Sequence, residues 1–183
     1  EVQRITWAYK LAEATINLPG VPTVPEIQVF TIDAKSDDVS EAVLGAIDKA
    51  IPFPIIFEIA RHRADQPEAR MVAAHKQLGA GRPKLSPYYS TGWQPEEDTL
   101  RQALPTAITL PALYAALLQP LTPITARPGE EMSDVADRLA TVRKLEREVA
   151  SLERKLRTEP QLNRKVELRR TLKTKQHELE QHR

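Results

Sequence analysis

The chain has 183 residues, with 26 Lys or Arg against 25 Asp or Glu and a net charge of +1. It contains no cysteine, which excludes disulfides, zinc–thiolate sites, iron–sulfur clusters and thiol nucleophiles. No apolar run is long enough to span a bilayer and no signal peptide is visible. We therefore expect a cytoplasmic protein, and because the chain opens on Glu1 rather than Met, we expect further residues before it.

The small net charge conceals two oppositely charged parts. Residues 1–137 hold twelve Lys or Arg against eighteen Asp or Glu, a net of −6, whereas residues 138–183 hold fourteen against seven, a net of +7. Such asymmetry favours a basic arm that meets nucleic acid, an acidic partner or the acidic body of the chain itself.

The first part alternates between apolar and polar residues in several short runs. These runs predict strands at Ile5–Leu11, Glu26–Lys35, Pro54–Ala60, Arg70–Leu78 and Tyr88–Trp93. The turn between the third and fourth strands is predicted at Asp65, Gln66 and Pro67, with His62 in a turn as well.

Helical spacing of apolar residues from Val39 to Ala50 predicts a helix that ends at Ile51–Pro54, with Ser40 as its nearest cap. Leu100–Leu118 is rich in Leu and Ala but contains Pro105 and Pro111, which predicts two or three short helical pieces. The order of elements is that of an α+β, or α/β, sandwich with a mixed sheet. We place this body at residues 1–120, a proline-rich linker at 121–130 and a basic helical hairpin at 131–183.

The last part has a heptad pattern, which predicts a coiled-coil-like pair of antiparallel helices. Pro160 interrupts the pattern, and Thr158 with Gln161 predicts a capping box for the second helix. A single kinked rod is the alternative. Leu162 and Val166 mark the start of the second helix, and the predicted seam consists of Val142, Leu145, Val149, Leu152, Leu156, Leu168, Leu172 and Leu179.

The second helix of this hairpin is strongly basic. Its candidate contact residues are Arg164, Lys165, Arg169, Arg170, Lys173 and Lys175. They either solvate a hairpin whose seam packs on the body or on a second copy, or they contact duplex DNA phosphates or an acidic protein. No aromatic residues interleave with them, which argues against stacking on single-stranded bases.

The sharpest chemical candidate in the body is Asp33 with Lys35, an acid-x-Lys triplet at the end of a predicted strand. Metal-dependent nucleases with a restriction-endonuclease-like fold use such a triplet, the carboxylate for Mg²⁺ and the amine for the attacking water or phosphate. They also need a second carboxylate, for which Glu13 and Glu26 are the candidates. A surface ion pair is the alternative interpretation. We expect no metal site at the histidines, because acidic residues are not grouped around them.

Several stretches together resemble a known family. They are Ile5–Leu11 with Thr15–Pro19, Ala46–Pro54, Ala74–Lys76 and Gln161–Leu168. In order along nearly the whole chain, they are similar to the uncharacterised bacterial family described as domain of unknown function 4391. The resemblance implies a setting beside helicases and DNA methyltransferases, in loci that look like restriction or anti-phage defence systems. It carries over no catalytic residues.

These observations favour a non-enzymatic accessory subunit of a restriction-like or anti-phage defence system. Its partners would be a helicase-type or methyltransferase-type protein or a second copy, with possible duplex DNA contact through the hairpin. A Mg²⁺-dependent nuclease with a degenerate site and an antitoxin-like inhibitor are the alternatives. We expect no cofactor, apart from Mg²⁺ in the case of the nuclease.

Overall fold

The structure is a computed structural model that describes residues 1–63, 66–79, 81, 83–95, 103–124, 127, 130 and 132–183. The chain forms two compact units, Glu1–Thr125 and Ala126–Arg183. The described part of the first unit contains the sheet and three α-helices, and the second unit contains the helical hairpin.

Apart from a short helix at Glu13–Ile16 and a two-residue strand at Gln94–Pro95, which were not predicted, the strands and helices follow one another in the order that the sequence predicts. The strands are β1 (Val2–Ala12), β2 (Glu26–Ala34), β3 (Ile55–Arg63), β4 (Gln66–Gln77), β5 (Lys84–Ser90) and β6 (Gln94–Pro95). The α-helices are α1 (Glu13–Ile16), α2 (Glu41–Ala50), α3 (Leu110–Leu118), α4 (Met132–Thr158) and α5 (Leu162–His182). A 3₁₀ turn at Gln119–Leu121 follows α3.

The strands form one mixed sheet in the order β1-β2-β3-β4-β5, with β6 also paired to β4. Strands β2 and β3 run parallel, because α2 carries the chain back between them, and the other pairs are antiparallel. The mixed sheet followed by a C-terminal hairpin confirms the predicted α+β fold.

One apolar core of the described residues lies between α2 and one face of the sheet. Successive side chains of a strand point to opposite faces, so alternate residues of β2 and β3 meet the helix. The buried members of this core are Ile32, Val39, Leu44, Ile55, Phe57, Ile59 and Val72.

Helices α4 and α5 form the hairpin, and the rod is excluded. Val142, Leu145 and Leu179 form its buried apolar cluster. Two ion pairs join the helices, Lys175 to Glu148 at 3.4 Å and Arg183 to Glu146 at 3.1 Å. The other predicted seam residues are half-buried, namely Val149, Leu152, Leu156, Leu168 and Leu172.

Two local predictions for the body are wrong. His62, Gln66 and Pro67 lie in strands, because β3 and β4 pair as far as Arg63 with Gln66, and Asp65 lies outside the described residues. Pro111 does not break a helix but stands in the first turn of α3, where a missing N–H costs nothing. Residues 103–109 are not helical, and residues 100–102 lie outside the described part.

The predicted capping box at the hairpin tip is also wrong. Thr158 is the last residue of α4, and its hydroxyl donates to the carbonyls of Arg154 and Lys155. Gln161 precedes α5, and its N–H donates to the Glu159 carboxylate at 2.9 Å. The threonine thus completes one helix instead of starting the next.

Candidate functional site

Asp33 lies near the end of β2 and is held by an ion pair. Arg4 of β1 stands opposite it in the sheet, and the distance from Arg4 Nε to Asp33 Oδ2 is 2.7 Å. The Arg4 side chain is 73% exposed, so this is a surface contact. Lys35 follows the strand with an exposed side chain, and its backbone N–H donates to the Glu1 carbonyl.

The two carboxylates proposed to assist Asp33 lie at the other end of the strand. Glu26 begins β2, seven residues before Asp33, which corresponds to about 23 Å and to the opposite face of the sheet. Its carboxylate binds Lys10 Nζ at 2.7 Å. Glu13 follows Ala12, the residue paired with Glu26. The structure therefore does not bring Glu13 or Glu26 together with Asp33.

A different carboxylate lies on the face of Asp33. Glu58 of β3 pairs with Thr31, two residues before Asp33, so the two acidic side chains share a face of the sheet. Within the part of the chain that the structure describes, however, no group of three or more His, Asp or Glu residues is placed to hold a metal ion.

The body contains a buried ion pair that the sequence analysis did not identify. The ammonium of Lys76 on β4 is fully buried and lies 2.8 Å from Asp48 Oδ1 of α2. It also donates to three carbonyls at the end of α2 and just after it, those of Asp48 at 2.9 Å, Ile51 at 2.9 Å and Phe53 at 2.7 Å. Lys76 therefore caps the C-terminus of this helix, where carbonyls lack intrahelical partners.

Two tyrosines complete this buried group. The Tyr88 hydroxyl donates to Asp48 Oδ2. The Tyr114 hydroxyl donates to the Ala74 carbonyl at 2.8 Å and accepts from the Lys76 N–H at 3.0 Å. Burial raises the pKa of both tyrosines, whereas burial lowers the pKa of the Lys76 ammonium.

The charged atoms of this buried group bond to one another and to neighbouring carbonyls, which stabilises the fold. The three N–H bonds of Lys76 are shared among four acceptors, and each oxygen of the Asp48 carboxylate already accepts a bond. One signal of it was present in the sequence. Val72, Ala74 and Lys76 alternate along one strand, which puts the lysine on a buried face.

Two arginines of the body, Arg61 and Arg70, are also bonded to carboxylates and lie against an aromatic ring. The Arg61 and Arg70 guanidinium carbons lie 3.8 Å and 5.0 Å from the ring centroid of Trp93. Arg61 is bonded to Glu68 at 2.8 Å and Arg70 to Asp38 at 2.7 Å. These arginines therefore stabilise the end of the sheet, with carboxylates already in place beside them.

In the second unit, Arg138 binds both a carboxylate and backbone carbonyls. Arg138 forms a bidentate pair with Glu130, with 2.8 Å from Nε to Oε1 and 2.8 Å from Nη2 to Oε2. Its Nη1 donates to the carbonyls of His182 and Arg183, at 3.1 Å each. These hydrogen bonds from Arg138 lower the pKa of the Glu130 carboxyl to about 2. Arg138 thus caps the C-terminus of α5 by binding its last carbonyls.

Of the six basic contact residues predicted on α5, Lys175 forms ion pairs and the other five do not within the described part of the chain. Lys175 binds Glu148 at 3.4 Å and Glu178 at 2.8 Å, and the hydrogen bond to Glu178 raises its pKa. Within residues 132–183, all of which the structure describes, the others form no ion pair, and they are Arg164, Lys165, Arg169, Arg170 and Lys173. Arg154, Lys155 and Arg157 at the end of α4 share this property. This set is the best-supported candidate interface.

Helix α5 also has two exposed apolar residues outside the seam. Leu162 is 72% exposed and Val166 is 53% exposed. With Arg169 and Lys173 they follow steps of four, three and four residues, which places all four on one face of the helix. We call this face the α5 stripe.

None of the helices in the described part of the chain combines the length and apolar character required to cross a membrane. Comparison with curated proteins finds no match, and comparison with solved structures finds none either. Residues 1–179 match the family described as Domain of unknown function (DUF4391). Because the match covers nearly the whole sequence, the chain belongs to this family.

Proposed function

We propose that this protein is a non-catalytic interaction subunit that binds an acidic macromolecule through the distal part of its hairpin. The observation that carries the proposal is the set of unpaired cations there. Residues 149–174 contain eight Lys or Arg against three Glu, a net of +5, and none of the eight is in an ion pair within the fully described range 132–183. Unpaired surface cations provide the attraction for a polyanion.

The buried cations of the body differ from the hairpin cations because they are already paired with carboxylates. Among the residues that the structure describes, the largely buried cations Lys76, Arg61 and Arg70 of the body are each bonded to a carboxylate of the same unit. An incoming anion would have to displace these carboxylates. The hairpin cations need no such exchange, and this difference favours the hairpin as the binding surface.

We propose for this protein the setting that the resemblance in its sequence implied. The protein would act in the bacterial cytoplasm beside a helicase-type or methyltransferase-type protein of a restriction-like or anti-phage defence locus, without a cofactor. Duplex DNA, an acidic surface of such a protein and a second copy of the chain are the partners to distinguish.

The first test measures binding to a short DNA duplex and to polyglutamate, by size-exclusion chromatography with light scattering at low and high salt. We expect complexes that form at low salt and weaken as salt rises. The double variant Arg169→Glu, Arg170→Glu should lower affinity by about tenfold or more. The matched control is Lys49→Glu with Lys84→Glu, two exposed lysines of the body, which makes the same change in net charge.

Absence of binding to both polymers would refute the proposal, as would an equal loss of affinity in the control. The nuclease alternative lacks geometric support, because Asp33 is paired with Arg4 and separated from Glu13 and Glu26. It predicts Mg²⁺-dependent cleavage that disappears in Asp33→Ala.

A further inference from the structure

The α5 stripe combines apolar and basic residues in a way that selects among acidic partners. Leu162 and Val166 lie at its start, and Arg169 and Lys173 continue it over about 16 Å of helix. Arg170, four residues after Val166, lies beside it. Between Leu162 and Lys175 the only acidic residue of α5 is Glu167, which is one position after Val166 and therefore about 100° away around the helix.

The stripe is separate from the seam. The face of α5 toward α4 contains Leu168, Leu172 and Leu179, which are half-buried or buried. Packing within the hairpin therefore does not account for Leu162 and Val166. A polar face that only kept the helix in water would gain nothing from two exposed aliphatic side chains at adjacent positions.

We propose that the α5 stripe receives an acidic amphipathic helix of a partner protein. Leu162 and Val166 would pack against apolar residues of the incoming helix, and Arg169, Arg170 and Lys173 would pair with its Asp or Glu side chains. Spacing by three and four residues is the pattern with which one helix contacts another. This inference rests on the proposed function, since it names the partner that the same surface would take.

Charge argues against a second copy as the occupant, and the two apolar residues argue against duplex DNA. A second copy that met this face with its own α5 would bring the same basic residues, since residues 149–174 hold eight Lys or Arg against three Glu. Duplex DNA would satisfy the cations, but phosphates gain nothing from Leu162 and Val166.

The test compares two ligands by fluorescence anisotropy with the full chain. The first is a three-heptad peptide with Leu at positions a and d and Glu at e and g, and the second is a short DNA duplex. We expect Leu162→Gln with Val166→Gln to weaken peptide binding by about tenfold or more and to leave DNA binding within about twofold. Arg169→Glu with Lys173→Glu should weaken binding of both ligands.

Two controls make the result specific. Ile108→Gln changes an 82% exposed residue of the body and should alter neither affinity. A peptide with Gln in place of Glu should bind more weakly than the acidic one. Binding of DNA without binding of the peptide, or peptide binding that ignores Leu162→Gln with Val166→Gln, overturns this inference and leaves the proposed function standing. Failure of both ligands to bind overturns both.

Discussion

At the scale of single residues, the buried ammonium of Lys76 is held by four acceptors. Its position has two consequences for stability, because it neutralises Asp48 and also bonds carbonyls at and beyond the end of α2. Removal of the lysine would leave a buried carboxylate and three carbonyls without this donor. The cost of unpaired buried groups generally exceeds the net gain from the intact pair.

We predict that Lys76→Met lowers the free energy of unfolding by about 3–5 kcal/mol. Urea denaturation followed by tryptophan fluorescence measures this change. The exposed control Lys84→Met should change it by less than about 0.5 kcal/mol. In the double variant Lys76→Met, Asp48→Asn the buried charge is removed as well, so the total cost should be smaller than the sum of the two single costs. Additive costs would contradict the coupling.

Glu130 gives the second unit a defined response to acid. Its pKa is about 2 in the folded protein, below the ordinary value of 4.5, chiefly because Arg138 donates hydrogen bonds to it. A carboxyl whose folded pKa is depressed contributes stability that is fully present above the unfolded pKa. That contribution is lost as the pH falls from about 4.5 towards 2.

We therefore expect Glu130→Gln to be less stable than the natural chain at pH 7, with a difference that narrows as the pH falls through this window. Urea denaturation followed by the helical circular dichroism signal, in steps from neutral to acid pH, measures both proteins under identical conditions. The other carboxylates titrate in both proteins, so the difference between them isolates Glu130. A difference that does not change with pH would contradict the assignment.

At the scale of elements, period-two, helical and heptad patterns predicted the strands, helix α2 and the hairpin respectively, because each pattern reports burial of one face of a local segment. The pairing of Lys76 with Asp48 was not predicted, since the two residues are 28 positions apart and meet only because α2 lies over strand β4. His62 and Pro67 were assigned to a turn because proline is a turn signal, but their strands continue to pair through that position. For the candidate site, composition identified the basic helix, but only the structure separates Lys175 from its unpaired neighbours.

The buried and the exposed apolar residues of the hairpin should differ in their effect on stability. Leu145 is 5% exposed and packs with Val142 and Leu179, whereas Leu162 is 72% exposed. We predict that Leu145→Ala costs about 2–5 kcal/mol through loss of burial and the cavity left behind. Leu162→Ala should cost less than about 0.5 kcal/mol. Thermal unfolding followed by circular dichroism at 222 nm tests the pair, and equal costs would show that Leu162 is packed in solution.

At the scale of the whole molecule, the chain is divided into two units with different charge and different spectroscopic signals. The first, residues 1–125, has a net charge of −3, and the second, residues 126–183, has +4. Both tryptophans, Trp7 and Trp93, belong to the first unit. Helices α4 and α5, with 27 and 21 residues, contribute most of the described helix.

Because each unit has its own buried apolar cluster, we expect the two units to respond separately to core substitutions. Phe57→Ala should shift the unfolding transition seen by tryptophan fluorescence, and Leu145→Ala should shift the one seen by circular dichroism at 222 nm. The transitions of each variant are compared with those of the unsubstituted protein in the same buffer. Transitions that coincide for both probes in every variant would show one cooperative unit instead.

The burial of the Lys76 ammonium makes this one amine chemically distinct from the other lysines of the folded chain. An amine-reactive label should modify exposed lysines such as Lys49 and Lys84 while Lys76 stays unmodified, because its side chain is 0% exposed. Once the strand separates from α2, the same amine becomes reactive. Mass spectrometry of the peptide that contains Lys76 would thus report whether a preparation, a variant or a complex retains the native sheet, with no added probe.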